Sequence, residues 1–381
     1  MKKVKIFWLA GESSGDLHCE LIMKELNKDG LRFEHHGIGG PKMQAQGLKP
    51  LFPFERFAVM GFVEVLAHLP FFLKVERRIR RFFKKEKPDI AILADYPGLN
   101  LRVAHIADEH RIPVLYYICP QFWAWKHERV HKLKMSTKHV ACILPFEEEL
   151  LNIHNVTCSF VGHPIVEEIT FMGDRSHFAR FFGLDPDKKW LGFLPGSRNK
   201  EIQKMLPVFL EAAKKWDKDE YEILISKSHS VKHLSFMRLI EKAKLPHLHI
   251  IDGYAYDMMR GCEVLVCTSG TVTLESAYVG TPAVICYKAN PISYLIGKHF
   301  IRVSHIGLPN IILNDSVLPE LIQRDVNAAN INKEINKLLP GGENRENVLG
   351  KLQNIRAVLS SRRPSVEIPK IIEHLLETYE R

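Results

Sequence analysis

Short apolar runs alternate with segments of helical spacing along almost the whole chain. Residues 4–10 predict a buried strand and 17–28 the helix that follows it. A second strand is expected at 90–94, a helix at 99–110 and a third strand at 114–118. The pattern restarts after Gly162, with strand 190–194, helix 200–216, strand 222–226 and a short strand 249–251. Strand 264–267, helix 273–279 and strand 283–287 complete the second series. Such alternation implies parallel sheets with helices on both faces. The expected class is therefore α/β, with two doubly wound, Rossmann-like domains facing each other across a cleft. Their joint is placed near Gly162-His163-Pro164, giving domains 1–163 and 164–350. Residues 351–381 are expected to form a helical segment that packs back on the N-terminal domain or on a partner chain. Ligands of such folds bind beyond the carboxyl ends of the strands, so the loops after strands are where chemistry is expected.

One stretch departs from this pattern. Residues 57–87 carry an apolar segment, broken by Glu64, His68 and Pro70, that runs into seven Lys/Arg between Arg77 and Lys87. One reading is a core helix followed by a helix with a solvated basic face. The other is a segment lying in a membrane interface, because Phe71, Phe72, Phe82 and Phe83 interleave with the charges. The residues alone leave both open.

Composition narrows the class without choosing a function. A length of 381 residues favours two domains, and 46% hydrophobic with 25% charged residues is globular. Lys+Arg 53 against Asp+Glu 44 leaves +9, which suits nucleic acid, phosphorylated metabolites or an acidic membrane face. The first residues lack the features of a signal peptide, since Glu12 and Asp16 precede any small-residue cleavage site. Seven cysteines are scattered without a C-x-x-C pair, which favours free, mostly buried thiols. No run of about 18 apolar residues is present to span a bilayer.

Four loops that follow strands are candidates for chemistry. Gly11-Glu12-Ser13-Ser14-Gly15-Asp16 matches the G-x-S-x-G of a hydrolase elbow, but only ten residues precede it. No earlier strand can then supply an oxyanion loop, so Ser13 is not expected to be a nucleophile. Glu12 and Asp16 disfavour a pyrophosphate and suit sugar hydroxyls, which donate to carboxylates. Capping of the next helix by Ser13 or Ser14 is compatible with binding. Leu194-Pro195-Gly196-Ser197-Arg198 precedes a helix and offers N–H donors, a dipole end and a guanidinium to a phosphate. It is not a Walker loop. Ser269-Gly270-Thr271 repeats the strand, small-residue turn and helix, and Glu275 on that helix suits ribose hydroxyls or serves as a dipole-complementing acid. Two anion-friendly turns in one half favour a nucleoside diphosphate over either turn alone. Asp95, directly after strand 90–94, is placed for a general base or for the N-terminal acid of the next helix. No histidine or cysteine spacing suggests a metal, and Asp185-Pro186-Asp187 and Asp217-Lys218-Asp219 read as solvated loops.

Taken together and in order, these motifs resemble bacterial lipid-A-disaccharide synthases. The resemblance runs through AGESSGD, the GGPKMQAQG turn at 39–47, AVMGFVEVL at 58–66, PQFWAW at 120–125, VGHP at 161–164, LPGSR, SGTVTLE and LPN at 308–310. It implies GT-B architecture and an inverting transfer of 2,3-diacylglucosamine from UDP to the 6-hydroxyl of 2,3-diacylglucosamine 1-phosphate (lipid X). The products would be the β-1,6 disaccharide and UDP, with no cofactor and no metal. The implied base is Asp95. Gly196, Ser197, Arg198, Ser269, Gly270, Thr271, Glu275 and Asn310 would bind UDP. Glu12, Ser13, Ser14, Gly15, Asp16 and Met60-Gly61 would shape the sugar and acceptor side, and His163 would be a cleft, hinge or packing residue. A lipid substrate also suits the 57–87 anomaly, with the four phenylalanines docking on the inner leaflet of the cytoplasmic membrane. That puts the enzyme in the cytoplasm, peripherally bound, with a homodimer left open. Competing readings are another GT-B enzyme such as a UDP-GlcNAc 2-epimerase, or a basic nucleic-acid-binding protein. Nucleic acid is disfavoured because PQFWAW follows a strand end rather than forming an exposed stacking stripe.

Overall fold

A computed structural model describes residues 3–29, 32–58, 69–124, 127–228, 230–289 and 304–379. The expected strands fall into two sheets whose pairs are all parallel. In the first, β1 (Val4–Ala10), β2 (Phe33–Ile38), β3 (Lys49–Pro50), β4 (Ile90–Ala94), β5 (Val114–Tyr117), β6 (His139–Cys142) and β7 (Cys158–Phe160) take the order β3-β2-β1-β4-β5-β6-β7. In the second, β8 (Lys189–Leu194), β9 (Tyr221–Lys227), β10 (Leu248–Asp252), β11 (Val264–Thr268), β12 (Ala283–Tyr287) and β13 (Glu320–Ile322) take the order β10-β9-β8-β11-β12-β13. Strand order therefore reverses between β1 and β4 in one sheet and between β8 and β11 in the other. Register then places the loops. Ala10 pairs with Ala94, so Gly11 and Asp95 leave the first sheet side by side, and Leu194 pairs with Cys267, so Pro195 and Thr268 leave the second the same way.

Two compact units contain these sheets: Met1–Pro164 with Ser360–Arg381, and Ile165–Leu359. Helix Arg345–Leu359 thus belongs to the second unit, whereas Ile368, Ile372 and Leu375 of helix Pro364–Thr378 join the core of the first. They pack there with Ile6, Trp8, Ile90 and Ile92 of the sheet and with Cys19, Ile22 and Met23 of helix Ser13–Leu26. Strands β4 and β11 are buried at every position, as a sheet covered on both faces demands. Several strands escape the sequence pattern. β2 reads FEHHGI, with two histidines where apolar residues are expected, and β6, β7 and β13 are three or four residues long.

Helix Leu69–Glu86 corrects the expectation of a phenylalanine membrane contact. Phe72, Val75, Ile79 and Phe83 are spaced by three or four residues and form one buried stripe. Phe83 packs edge-on against Phe7 of β1 with ring centroids 4.8 Å apart, and Phe82 lies against Phe7 and His36 at 5.9 and 5.4 Å. Phe71 rests on Phe57 and Phe52 at 5.2 and 6.2 Å. Phe72 and Phe83 are thus committed to the core, while Phe71 and Phe82 are half-buried at its margin. Arg77, Arg78, Arg81, Lys84 and Lys85 occupy the exposed side of the same helix, which is the solvated basic face of the first reading. No described helix is long and apolar enough to cross a membrane. All seven cysteines are free thiols, and six of them are buried.

Candidate active site

In the first unit the loops after β1 and β4 meet at the strand-order reversal, where doubly wound folds bind ligands. Contact is close enough that a Cβ on Gly11 would lie 2.9 Å from Tyr96 Cγ. Glu12, Ser13 and Ser14 are exposed at the start of helix Ser13–Leu26. Glu12 is the N-cap and its side chain makes no capping bond, so neither serine plays the expected capping part. Gly15 and Asp16 are corrections. Gly15 is buried where a Cβ would stand 3.2 Å from Ala10 Cβ, which lets the helix approach the strand. Asp16 is 3% exposed and its carboxylate accepts from the Lys42 and Met43 N–H groups at 3.1 Å each, holding helix Pro41–Ala45. Gly15 thus serves the helix–strand contact, and the Asp16 carboxylate is engaged by the start of helix Pro41–Ala45. Met60 and Gly61 lie outside the described residues.

Asp95 and Tyr96 follow β4 at φ 48° and 44°, in the left-handed region that L residues seldom adopt. Each such residue costs ~1–3 kcal/mol and persists only where its surroundings hold it. The Asp95 carboxyl is pushed up to about 6, first by burial and then by the Glu12 charge. The Tyr96 N–H, His18 and Arg129 pull it down by smaller amounts. A group titrating near 6 is ionised at neutral pH yet more basic than a free aspartate, which suits proton removal. His163 is buried and held down to about 3 by burial and by His18, so its imidazole is neutral.

His18 and Arg129 were not singled out by the sequence. His18 shares a helix face with Ser14, four residues earlier, which was a usable signal. Arg129, 9% exposed at the start of helix Arg129–Ser136, has no local signature and comes to Asp95 only through the fold. Phe122 and Trp123 of PQFWAW are buried, with the Trp123 indole donating to Glu147 at 3.0 Å, so they anchor the loop and present no stacking face.

In the second unit the turns after β8 and β11 line one cavity of about 350 Å³. Gly196, Ser197 and Arg198 stand on one side, and Ser269, Gly270, Thr271 and Glu275 on the other. Helices Asn199–Ala213 and Thr271–Val279 both begin here; the Glu201 and Thr273 N–H groups bond back to the Arg198 and Gly270 carbonyls, and a helix start leaves its first N–H groups for a ligand. Gly196 takes φ +105°, and a Cβ there would meet Glu201 Oε2 at 2.6 Å. Glu201 folds back to accept from the Arg198 N–H at 3.3 Å and from its guanidinium at 2.8 Å. Ser269 Oγ donates to the Ile306 carbonyl at 3.2 Å. Glu275 is pushed up to about 7 by burial, opposed by a hydrogen bond from Tyr256 Oη at 3.4 Å and assisted by the Glu168 charge. A further cavity of about 480 Å³ shares Ser226, Ser228 and Ala255 with the first and runs along the ends of β9 and β10 to Tyr254 and Phe171.

Asn310 is the remaining correction. It is 1% exposed, and its amide donates to the Leu318 carbonyl and Glu320 Oε1 at 2.8 Å each while accepting from the Val317 and Leu318 N–H groups. Every bonding position of the side chain is occupied by residues 317, 318 and 320, and it is absent from the lining of the turn cavity. Glu320 in turn accepts from the Ile306 and Gly307 N–H groups, so Asn310 reaches Ser269 only through two intermediaries. Among the described residues, no group of three His, Cys, Asp or Glu is arranged to hold a metal.

A family model described as lipid-A-disaccharide synthetase matches residues 6–367. The chain belongs to that family. A lipid-A-disaccharide synthase of Nitrosococcus oceani is 42% identical over 357 residues, covering 93% of this chain and 92% of the relative. The chain is thus a glycosyltransferase of lipid A synthesis, and both loop pairs fall within the family match. Solved structures of much lower identity share the fold. The calicheamicin glycosyltransferase CalG4 aligns with a TM-score of 0.66 at 14% identity, covering 100% of each chain. The UDP-GlcNAc 2-epimerase of Neisseria meningitidis, bound to UDP-GlcNAc, aligns with a TM-score of 0.62 at 12% identity, covering 99% of this chain and 100% of that one. The lipid-A-disaccharide synthetase family member described here accordingly has GT-B architecture.

Proposed function

We propose that the enzyme transfers 2,3-diacylglucosamine from its UDP ester to the 6-hydroxyl of 2,3-diacylglucosamine 1-phosphate. The observation that carries this reading is the meeting of two small-residue turns, two helix starts and Glu275 around one cavity. That set suits a diphosphate flanked by a ribose. The adjoining cavity at the ends of β9 and β10 supplies room for the base. Asp95 removes the proton of the acceptor hydroxyl as its oxygen attacks C1 of the donor sugar, and the C1–oxygen bond to UDP breaks on the opposite face. The leaving diphosphate gains negative charge, which the helix N-termini and Arg198 stabilise. Glu275 grips the ribose hydroxyls. Glu12, Ser13 and Ser14, exposed beside Asp95, contact the sugars.

Membrane association rests on the exposed arginines and lysines of helix Leu69–Glu86, which suit an anionic leaflet at about 1 kcal/mol per basic residue near the surface. The deciding experiment is a transfer assay with UDP-2,3-diacylglucosamine, with and without lipid X, in excess EDTA. Disaccharide and UDP should form together and only when lipid X is present. UDP release without acceptor, or complete loss of transfer in EDTA, overturns the reading.

A further inference from the structure

The loop that carries Asp95 adopts a backbone its own residues disfavour, and the groups that hold it there are buried and specific. Asp95 and Tyr96 are consecutive residues of positive φ, and neither is glycine. Pro97 follows, and a residue before proline is disfavoured in the right-handed helical region, so the turn does not relax into its own helix. On one side of the Asp95 Cα, its N–H donates to the Tyr117 carbonyl of β5 at 2.8 Å. On the other, its carbonyl accepts from Asn100 Nδ2 at 2.7 Å and from Tyr116 Oη at 2.8 Å. The Asn100 amide also reaches the Ala94 carbonyl at 2.9 Å and approaches the Leu9 carbonyl of β1 at 3.5 Å. Both peptide planes that flank Asp95 are therefore pinned, by β5 through Tyr116 and Tyr117 and by Asn100 of the helix that follows. Asn100 and Tyr116 are each 0% exposed, so neither touches a substrate.

We propose that Asn100 and Tyr116 are positioning residues that set the Asp95 carboxylate for proton removal, acting through the Asp95 carbonyl. The inference rests on the reading of Asp95 as the base. A buried phenol and a buried amide both need partners, and here both are aimed at the main chain of the residue whose placement governs proton transfer. General-base catalysis depends on hydrogen-bond reach, so a shift of an ångström in the carboxylate lowers turnover without touching substrate affinity.

The test uses the full chain with UDP-2,3-diacylglucosamine and lipid X. Tyr116→Phe removes one oxygen and keeps the ring. It should lower kcat about tenfold, with KM for both substrates, UDP affinity and melting temperature held. Asn100→Ala should lower kcat further, and if it does not fold, the Tyr116→Phe arms still decide. Each is also measured in an Asp95→Asn background. Asp95→Asn alone should collapse turnover, and adding Tyr116→Phe should lower it no further. Wild-type turnover in Asp95→Asn overturns the base reading. Collapse in Asp95→Asn with wild-type turnover in Tyr116→Phe overturns the positioning role alone. Multiplied losses in the double variant overturn action through Asp95.

Discussion

The loop after β4 and the turns after β8 and β11 occupy equivalent places at two strand-order reversals, yet they are built in opposite ways. The first puts two bulky residues at positive φ and fixes them with a buried amide and a buried phenol. The second pair uses glycine where the backbone turns left, at Gly196, and leaves small side chains lining an open cavity. The difference follows from the chemistry each must do. A diphosphate is held by main-chain N–H groups, which any compatible backbone presents, so glycine supplies the turn at little strain. A base works only through one side chain in one position, so strain there is tolerated where surrounding groups over-determine the geometry.

The comparison breaks most visibly at Asp95. Asp95→Asn should lower kcat by roughly 10²–10⁴-fold and leave UDP affinity unchanged in calorimetry. A matching loss of UDP affinity would erase the contrast between the two loops. Gly196→Ala should do the reverse, weakening UDP on the order of tenfold, because a Cβ at φ +105° meets the Glu201 carboxylate. Its kcat at saturating donor should stay near wild type.

Acidity separates the loops further, with effects of a few-fold over a pH unit. Asp95 must be ionised to act and titrates at about 6, so kcat/KM should fall as pH drops below that value. Glu275 titrates at about 7, so UDP affinity should already weaken as pH falls through 7, and Glu275→Gln should flatten that dependence. Both groups hold their protons more tightly folded than unfolded, so their contribution to stability is present at low pH. It is lost as pH rises from about 4 towards 7. The smallest effect on catalysis should come from helix Leu69–Glu86. Reversing Arg77, Arg81 and Lys84 to glutamate should abolish binding to anionic vesicles in a sedimentation assay, with the melting temperature held. Phe83→Ala should instead cost about 3–5 kcal/mol of stability, because that ring is 1% exposed in the core.

The hydrophobic pattern alone located β1, β4, β8 and β11, and with them the loops that carry Asp95, Gly196 and Ser269, because buried parallel strands are nearly continuous apolar runs. It also singled out 57–87 as a stretch of apolar residues and basic charge, without deciding between a core helix with a solvated face and a membrane segment. Local sequence could not say which polar residues at a strand end face a ligand and which are consumed by the chain. Asp16 and Asn310 sit in motifs as suggestive as those of Asp95 and Glu275, yet Asp16 accepts from backbone 26 and 27 residues away, and Asn310 is held by the main chain at Val317 and Leu318 and by the Glu320 carboxylate. Phe72 and Phe83 looked available to a membrane, yet both are buried, Phe83 against Phe7 of β1. His18, Arg129, Asn100 and Tyr116 reach Asp95 from four separate elements, a juxtaposition no spacing rule contains. Periodicity reports each element's own buried face, whereas the partner that covers that face, and the polar groups left over for chemistry, are decided when distant segments pack.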